Sequence, residues 1–557
     1  MKRKTAALFY FCFLAGFAVV SVATSEAAAP KKAKTQIPQV AEIDRMIREV
    51  WQEYKLKPSP VATEGEWCRR VYLDLIGRIP TVQELDGYLS DRSPNKDEKL
   101  VEKLLYDDAY TEEYARNWTT IWSNILIGRT GGNENNSLIN REGMLKYLRD
   151  AFARNMPYDK MVHELVGATG NTTPGTEDFN GATNFLIMKV NEEKGSLATA
   201  AISKIFLGLQ VQCTQCHNHP FNDWKQQKYW EMNAFLRQTR ALRKFAPGSR
   251  DVQSAELVDQ DFAGESGNAK KADVFYELRN GVVSVAFPVF VDGRRTSSDS
   301  GFVSEVNRRA ELAKFVVESE YLEKTAVNRM WGHFLGYGFT KPVDDMGPHN
   351  LPSHPALLDY LATEFRKTSF DNKQLIKWIT LSEAYSLSSK AKNNATDDPL
   401  LGESPKFTHF YLRQMRAEEL YESLVTATMA EKGRSYEEQE KVKNQWLQQF
   451  NTAFGTDEGD ESTSFNGTIP QILMMFNGDL VKQAVSADKS GFVGLVFNNV
   501  KPAERVDYLF KAGLARDATK DEQTAYKILM AKRADEMGAL QDLWWAVLNS
   551  NEFIFNH

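Results

Sequence analysis

Thr81-Val82-Gln83-Glu84-Leu85-Asp86-Gly87-Tyr88-Leu89-Ser90-Asp91-Arg92-Ser93-Pro94-Asn95-Lys96-Asp97-Glu98-Lys99-Leu100-Val101-Glu102-Lys103-Leu104-Leu105 holds two helix starts in close succession. Thr81 and Glu84 form a capping box, in which the hydroxyl accepts from the Glu84 amide and the carboxylate returns to the Thr81 amide. Asn95 offers a second cap, after which Leu100, Val101, Leu104 and Leu105 fall on one face of a helix. Working outward, residues 140–166 repeat the pattern, with Leu145, Leu148 and Phe152 apolar on one side and Arg and Lys on the other. Residues 167–181, rich in Gly, Thr, Asn and Pro, read as a loop. The apolar stretch 198–209 predicts a buried helix that delivers the next residues at its C-terminal end.

Helix resumes over 308–334, again from about His354 to Lys367 behind a Ser353 cap, and over 537–555 with Leu540, Leu543, Trp544, Val547 and Leu548. Residues 430–465, charged and Gly-rich, suit a surface excursion. Residues 241–300 differ in kind: scattered Gly, Asp and Ser lead to the β-rich runs 274–278 and 282–291 around Asn280-Gly281, a hairpin signal. The expected fold class is therefore mainly α, with two helical domains, 40–240 and 301–557, joined by a 241–300 segment containing a small β-hairpin. No internal repeat is visible.

Lys2, Arg3 and Lys4 precede an apolar run over residues 6–22 and then small residues, so residues 1–27 read as a secretory signal and the mature chain as periplasmic or extracellular. Ser21-Val22-Ala23 and Ser25-Glu26-Ala27 both offer small residues to a signal peptidase, the first being preferred. Residues 28–39 suit a flexible tether. Beyond the signal no apolar stretch approaches the roughly 20 residues of a membrane helix. The net charge of -6 over 557 residues, without a block of five like charges, lacks the basic footprint of a nucleic-acid binder. The mature chain keeps Cys68, Cys213 and Cys216, too few and too odd a number for a disulfide scaffold.

Cys213-Thr214-Gln215-Cys216-His217-Asn218-His219 concentrates the chemistry. Two thiols three residues apart, followed at once by His, can form thioethers to both vinyl groups of a haem while His217 reaches the iron. With this composition, random placement produces the pattern in roughly 4 of 10,000 chains. Two other readings stay open: a local disulfide, or a zinc or iron site that adds His217 and His219 to the thiols. Should haem be present, Met346, His349 and His354 are remote candidates for the second axial ligand. The spacing excludes chance more firmly than it selects among the three.

A second constellation, Asp344, Asp345, His349 and His354, lies in a Pro-rich loop and could hold a divalent metal or serve acid-base chemistry. Turn-forming Asp residues and a helix start at Ser353 account for the same residues structurally. Arg69, Arg70, Arg308, Arg309, Arg413 and Arg416 could bind acidic sugars, although solvated or paired helix faces explain most such arginines. Trp331, Trp378 and Trp544 fall at core spacing. A metal-dependent hydrolase or lyase acting on polysaccharide, and a non-catalytic envelope scaffold with a structural disulfide, therefore stand beside a haem redox protein with an unknown redox partner.

The stretch from Val211 through Cys213, Cys216, His217, His219, Pro220 and Phe221 to Trp224 resembles the signature of a planctomycete cytochrome-c-like domain of unknown function. Ile43-Asp44-Arg45-Met46-Ile47, Arg69-Arg70-Val71-Tyr72-Leu73-Asp74-Leu75-Ile76-Gly77 and residues 110–118 resemble the opening of the same domain. Asn328-Arg329-Met330-Trp331, Pro342-Val343-Asp344-Asp345, Pro352-Ser353-His354-Pro355 and Asn549-Ser550-Asn551-Glu552-Phe553 are similar to the companion domain that usually follows it. The resemblance implies a secreted two-domain protein of unsettled activity; haem c is the cofactor that the Cys213 to His217 spacing itself suggests. Many relatives carry a further cytochrome module with its own haem motif, and no such motif precedes Cys213 here.

Overall fold

The computed structural model describes residues 37–390, 397–428, 438–439, 441–443, 445, 482, 484–486, 491–533 and 535–557. The expected signal segment and most of the expected surface excursion lie outside the described residues. Helices dominate; the capping-box start holds, whereas Asn95 precedes its helix without a side-chain cap bond. Thr81 and Glu84 make both bonds of the capping box before the helix Val82–Ser90. Leu100, Val101, Leu104 and Leu105 are the buried face of Lys96–Tyr106. Trp331, Trp378 and Trp544 are core residues. No helix among the described residues is long and apolar enough to cross a membrane.

Several expectations need correction. Residues 140–166 form two helices, Arg141–Ala153 and Tyr158–Gly167, because Asn155 takes a left-handed conformation and Pro157 stops the chain from continuing. Residues 308–334 likewise break at Ser319, which is extended between Arg308–Glu318 and Glu320–Leu335. Ser353 is not the cap of Pro355–Lys367. His354 occupies that position, and the Ser353 hydroxyl meets the His354 ring instead. The helix expected over 537–555 stops at Leu548, a single helical turn Asn551–Ile554 follows, and Phe555–Asn556 pairs as a short strand with Arg413–Gln414.

The Asn-Gly hairpin is present: Val274–Glu277 pairs antiparallel with Val283–Ala286, and Gly281 supplies the left-handed turn residue. A second antiparallel pair, Thr239–Phe245 with Val252–Asp259, forms a three-stranded sheet with Gly170–Asn171 and was not legible.

Two hydrophobic cores organise the chain. The larger takes residues from Val40 to Tyr411 together with Ala515, and the smaller runs from Met415 to Phe553 with Leu73 and Ile79. The helix Glu64–Ile76 faces both, since Val71, Tyr72, Leu75 and Ile76 enter the first and Leu73 the second. Burying each such aliphatic side chain contributes about 2 kcal/mol. The same helix carries Arg69, Arg70 and Asp74 inward, all essentially inaccessible to water.

Those buried arginines donate mainly to backbone carbonyls. Arg69 donates to the carbonyls of Phe553 and Phe555, and Arg70 to those of Tyr385 and His557. Arg308 reaches the carbonyls of Ala234, Ala272, Ser298 and Asp299. Arg309 bridges Val166, Ala168 and the Asp259 carboxylate. Buried guanidinium groups with five fixed donors thus join segments far apart in sequence.

Candidate functional site

The helix Ser196–Leu207 ends at Gly208, whose left-handed backbone (φ 64°) turns the chain toward the cysteines. Cys213 lies in the short 3-10 turn Gln212–Gln215, and Cys216 follows it directly. Thr214 is fully buried and bonds back to the Val211 carbonyl, while Gln226 and Trp230 both donate to the Gln215 carbonyl at 3.1 Å. The turn is thereby held from beneath. Both thiols face outward, exposed and unbonded to each other. Burial of part of the side chain, reinforced by the Asp345 carboxylate, pushes the Cys213 thiol above its ordinary range, so it stays protonated at neutral pH.

The three histidines nearby differ in which nitrogen is free. His217 Nδ1 lies 2.7 Å from the Asn218 carbonyl, which cannot donate, so Nδ1 carries the proton and Nε2 keeps its lone pair. His219 is the reverse. Its Nδ1 accepts from the amides of Phe221 and Asn222, both at 3.2 Å, which places the proton of the neutral ring on Nε2. A metal at Nε2 would compete with that proton, so the ring closes a turn rather than offering a ligand. Burial, followed by the nearby His349 ring, lowers the His219 pKa and keeps the ring neutral. His349 places Nε2 3.0 Å from each Asp345 oxygen, leaving Nδ1 buried and unpartnered.

The two constellations meet. The rings of His219 and His349 lie 5.5 Å apart. The contact is built by pinning the second loop to the helix that delivers the cysteines. Asp344, only 2% exposed, accepts from Gln210 at 2.7 Å and pairs with Lys204 at 3.2 Å. The Met346 amide donates to the Gly208 carbonyl at 2.7 Å. Asn328 holds the loop's start, donating to Thr340 and Val343 and accepting from Phe339 and Thr340, while Arg329 donates to the Ile205 carbonyl. Asp344 and Asp345 therefore do different work: one anchors the loop, the other orients His349.

His354 does not join this group in its contacts. It packs against Phe339 and Phe407, and burial lowers its pKa to about 4. Among the described residues no three His, Cys, Asp or Glu side chains form a group that could hold a metal ion. Sequence reasoning found both loops by residue type but missed their contact and the anchors Lys204, Gln210 and Asn328. Lys204 in the last turn of an otherwise apolar helix and Gln210 just beyond it were the available signal for the first two.

A separate groove of about 510 Å³ lies between residues 169–180 and the strand Val252–Asp259, lined by Glu177, Asp178, Phe179 and Glu256. Two families match the chain in succession: PSCyt2, a protein of unknown function (DUF1549), over residues 42–241, and PSD1, a protein of unknown function (DUF1553), over residues 308–452. No curated protein and no solved structure matches it.

Proposed function

The chain belongs to the proteins in which a PSCyt2 domain precedes a PSD1 domain, both of unknown function, and from that premise we propose an exported c-type haem protein working in electron transfer. The single observation that carries the reading is the form of the Cys213 to His217 turn. Two exposed thiols, not joined to each other, stand beside a histidine whose Nδ1 faces a carbonyl, which leaves Nε2 of the neutral ring as the acceptor. These are the donor states that covalent haem attachment requires.

Cys213 and Cys216 would each add S–H across one vinyl double bond, forming a carbon–sulfur bond while the hydrogen goes to the neighbouring carbon. His217 would supply the nitrogen ligand, its ring orientation fixed by the Asn218 carbonyl. The bound group supplies one-electron redox chemistry. The pinned loop bearing Asp345 and His349 keeps the motif from rearranging, which is what a redox site needs to limit reorganisation.

The full precursor expressed in a host with haem-attachment machinery should give a denatured band that stains for peroxidase activity and carries the mass of one haem. Cys213→Ala with Cys216→Ala should abolish both signals while leaving the circular dichroism spectrum unchanged. An unstained, unmodified wild-type band from that host overturns the reading.

A further inference from the structure

The hairpin of Val274–Glu277 with Val283–Ala286 falls between the matched stretches 42–241 and 308–452, yet it touches both residues that hold the Gln215 carbonyl between the thiols. Gln226, 4% exposed at the start of the helix Gln226–Asn233, donates from its side-chain nitrogen to the Gln215 carbonyl at 3.1 Å and to the Glu277 carbonyl at 2.8 Å. An amide nitrogen carries two hydrogens, one for each carbonyl. The Gln226 backbone amide donates to the Asn218 side-chain oxygen at 3.0 Å. Trp230, one turn later, donates to the same Gln215 carbonyl and stacks on Tyr276, with ring centroids 5.8 Å apart and planes 12° from parallel.

These bonds bracket Cys216 and His217. Residue 215 is held by its carbonyl and residue 218 by its side chain, which restricts the two residues between them and leaves the Asn218 carbonyl 2.7 Å from His217 Nδ1. A neutral ring that meets a carbonyl at Nδ1 carries its proton there, whereas a freely turning imidazole in water prefers the proton on Nε2. We infer that Gln226 is the positioning residue for His217 and that the hairpin acts through it, so the connecting segment belongs to the site. That His217 is held for service as an iron ligand rests on the haem reading.

The test records the ring nitrogen-15 shifts of His217 at pH 9 in the full chain, reduced and made without haem-attachment machinery, since these shifts separate protonated from unprotonated ring nitrogens. Wild type should show the proton on Nδ1, and a proton on Nε2 overturns the inference. Gln226→Met removes both side-chain donations at similar volume, and Tyr276→Leu removes the stack on Trp230. Each should move the tautomer ratio toward Nε2–H, by about fivefold for one lost hydrogen bond. Phe275→Ala, on the opposite face of the same strand, should leave the ratio at its wild-type value. Circular dichroism reports folding, and if Gln226→Met does not fold, Tyr276→Leu against Phe275→Ala decides. A ratio unchanged in Tyr276→Leu, or moved equally in Phe275→Ala, overturns the inference. If the expected shifts appear while wild type made with attachment machinery carries no covalent haem, the haem reading falls and the positioning stands.

Discussion

The direction of a single ring decides what His219 is for. Its Nδ1 accepts two backbone amides, a role that the Asn side-chain oxygen reproduces and Ala cannot. Losing a partly exposed hydrogen bond of this kind costs about 1 kcal/mol, or roughly fivefold in a local opening equilibrium. His219→Ala should therefore speed amide exchange at Phe221 and Asn222 about fivefold, and His219→Asn should leave both within about twofold of wild type. Equal acceleration in the two variants would remove the turn-closing role. The sequence made His217, His219, Asp345 and His349 visible because their types and spacings are chemical signals. It could not say which nitrogen of each ring is free, since that depends on the backbone amides a turn happens to aim at it. His354 shows the converse: its motif suggested a ligand, and the Phe339 and Phe407 rings make it a core residue.

At the scale of elements, the end of Ser196–Leu207 governs how the two loops meet. Gly208 is left-handed, and a Cβ there would stand 2.6 Å from Met346 Cε and 2.8 Å from Thr325 Oγ1. Gly208→Ala would add about 1 kcal/mol for the backbone conformation and a further 1–3 kcal/mol for overpacking. The expected outcome is a lower urea midpoint, together with faster exchange of the Met346 amide, because displacing Met346 weakens its bond to the Gly208 carbonyl. An unchanged midpoint would show that the contact yields freely. This helix and its neighbours were legible through caps and apolar periodicity, which are local properties. The strand Thr239–Phe245 was not, because most of it is exposed after Ala241 and it shows no run of alternating apolar residues. Its pairing with Val252–Asp259 is a property of two segments together.

Across the whole molecule, the stretch Arg69 to Asp74 ties the two matched segments together. Asp74 is fully buried, pairs with Arg413, and accepts from Tyr385 at 2.6 Å and Asn556 at 2.7 Å. Beside it Arg69 holds the Phe553 and Phe555 carbonyls, so the first domain's helix supplies the charges that fasten the last strand. Neither core reads as independent when its central polar groups find their partners in the other. Taking a charge from one side of such a pair leaves the other buried and uncompensated, a loss of about 3–5 kcal/mol, whereas replacing both with apolar groups of similar volume restores much of it. Asp74→Leu should thus lower the unfolding free energy by about that amount, and Asp74→Leu with Arg413→Met should recover at least half. Urea unfolding followed by tryptophan fluorescence tests both, since Trp118 and Trp331 lie in the larger core and Trp544 in the smaller. If the Asp74→Leu chain unfolds at the wild-type midpoint in both cores, the buried charges do not join them. If it unfolds in two separated steps, with the smaller core first, the charges couple two units that would otherwise melt apart.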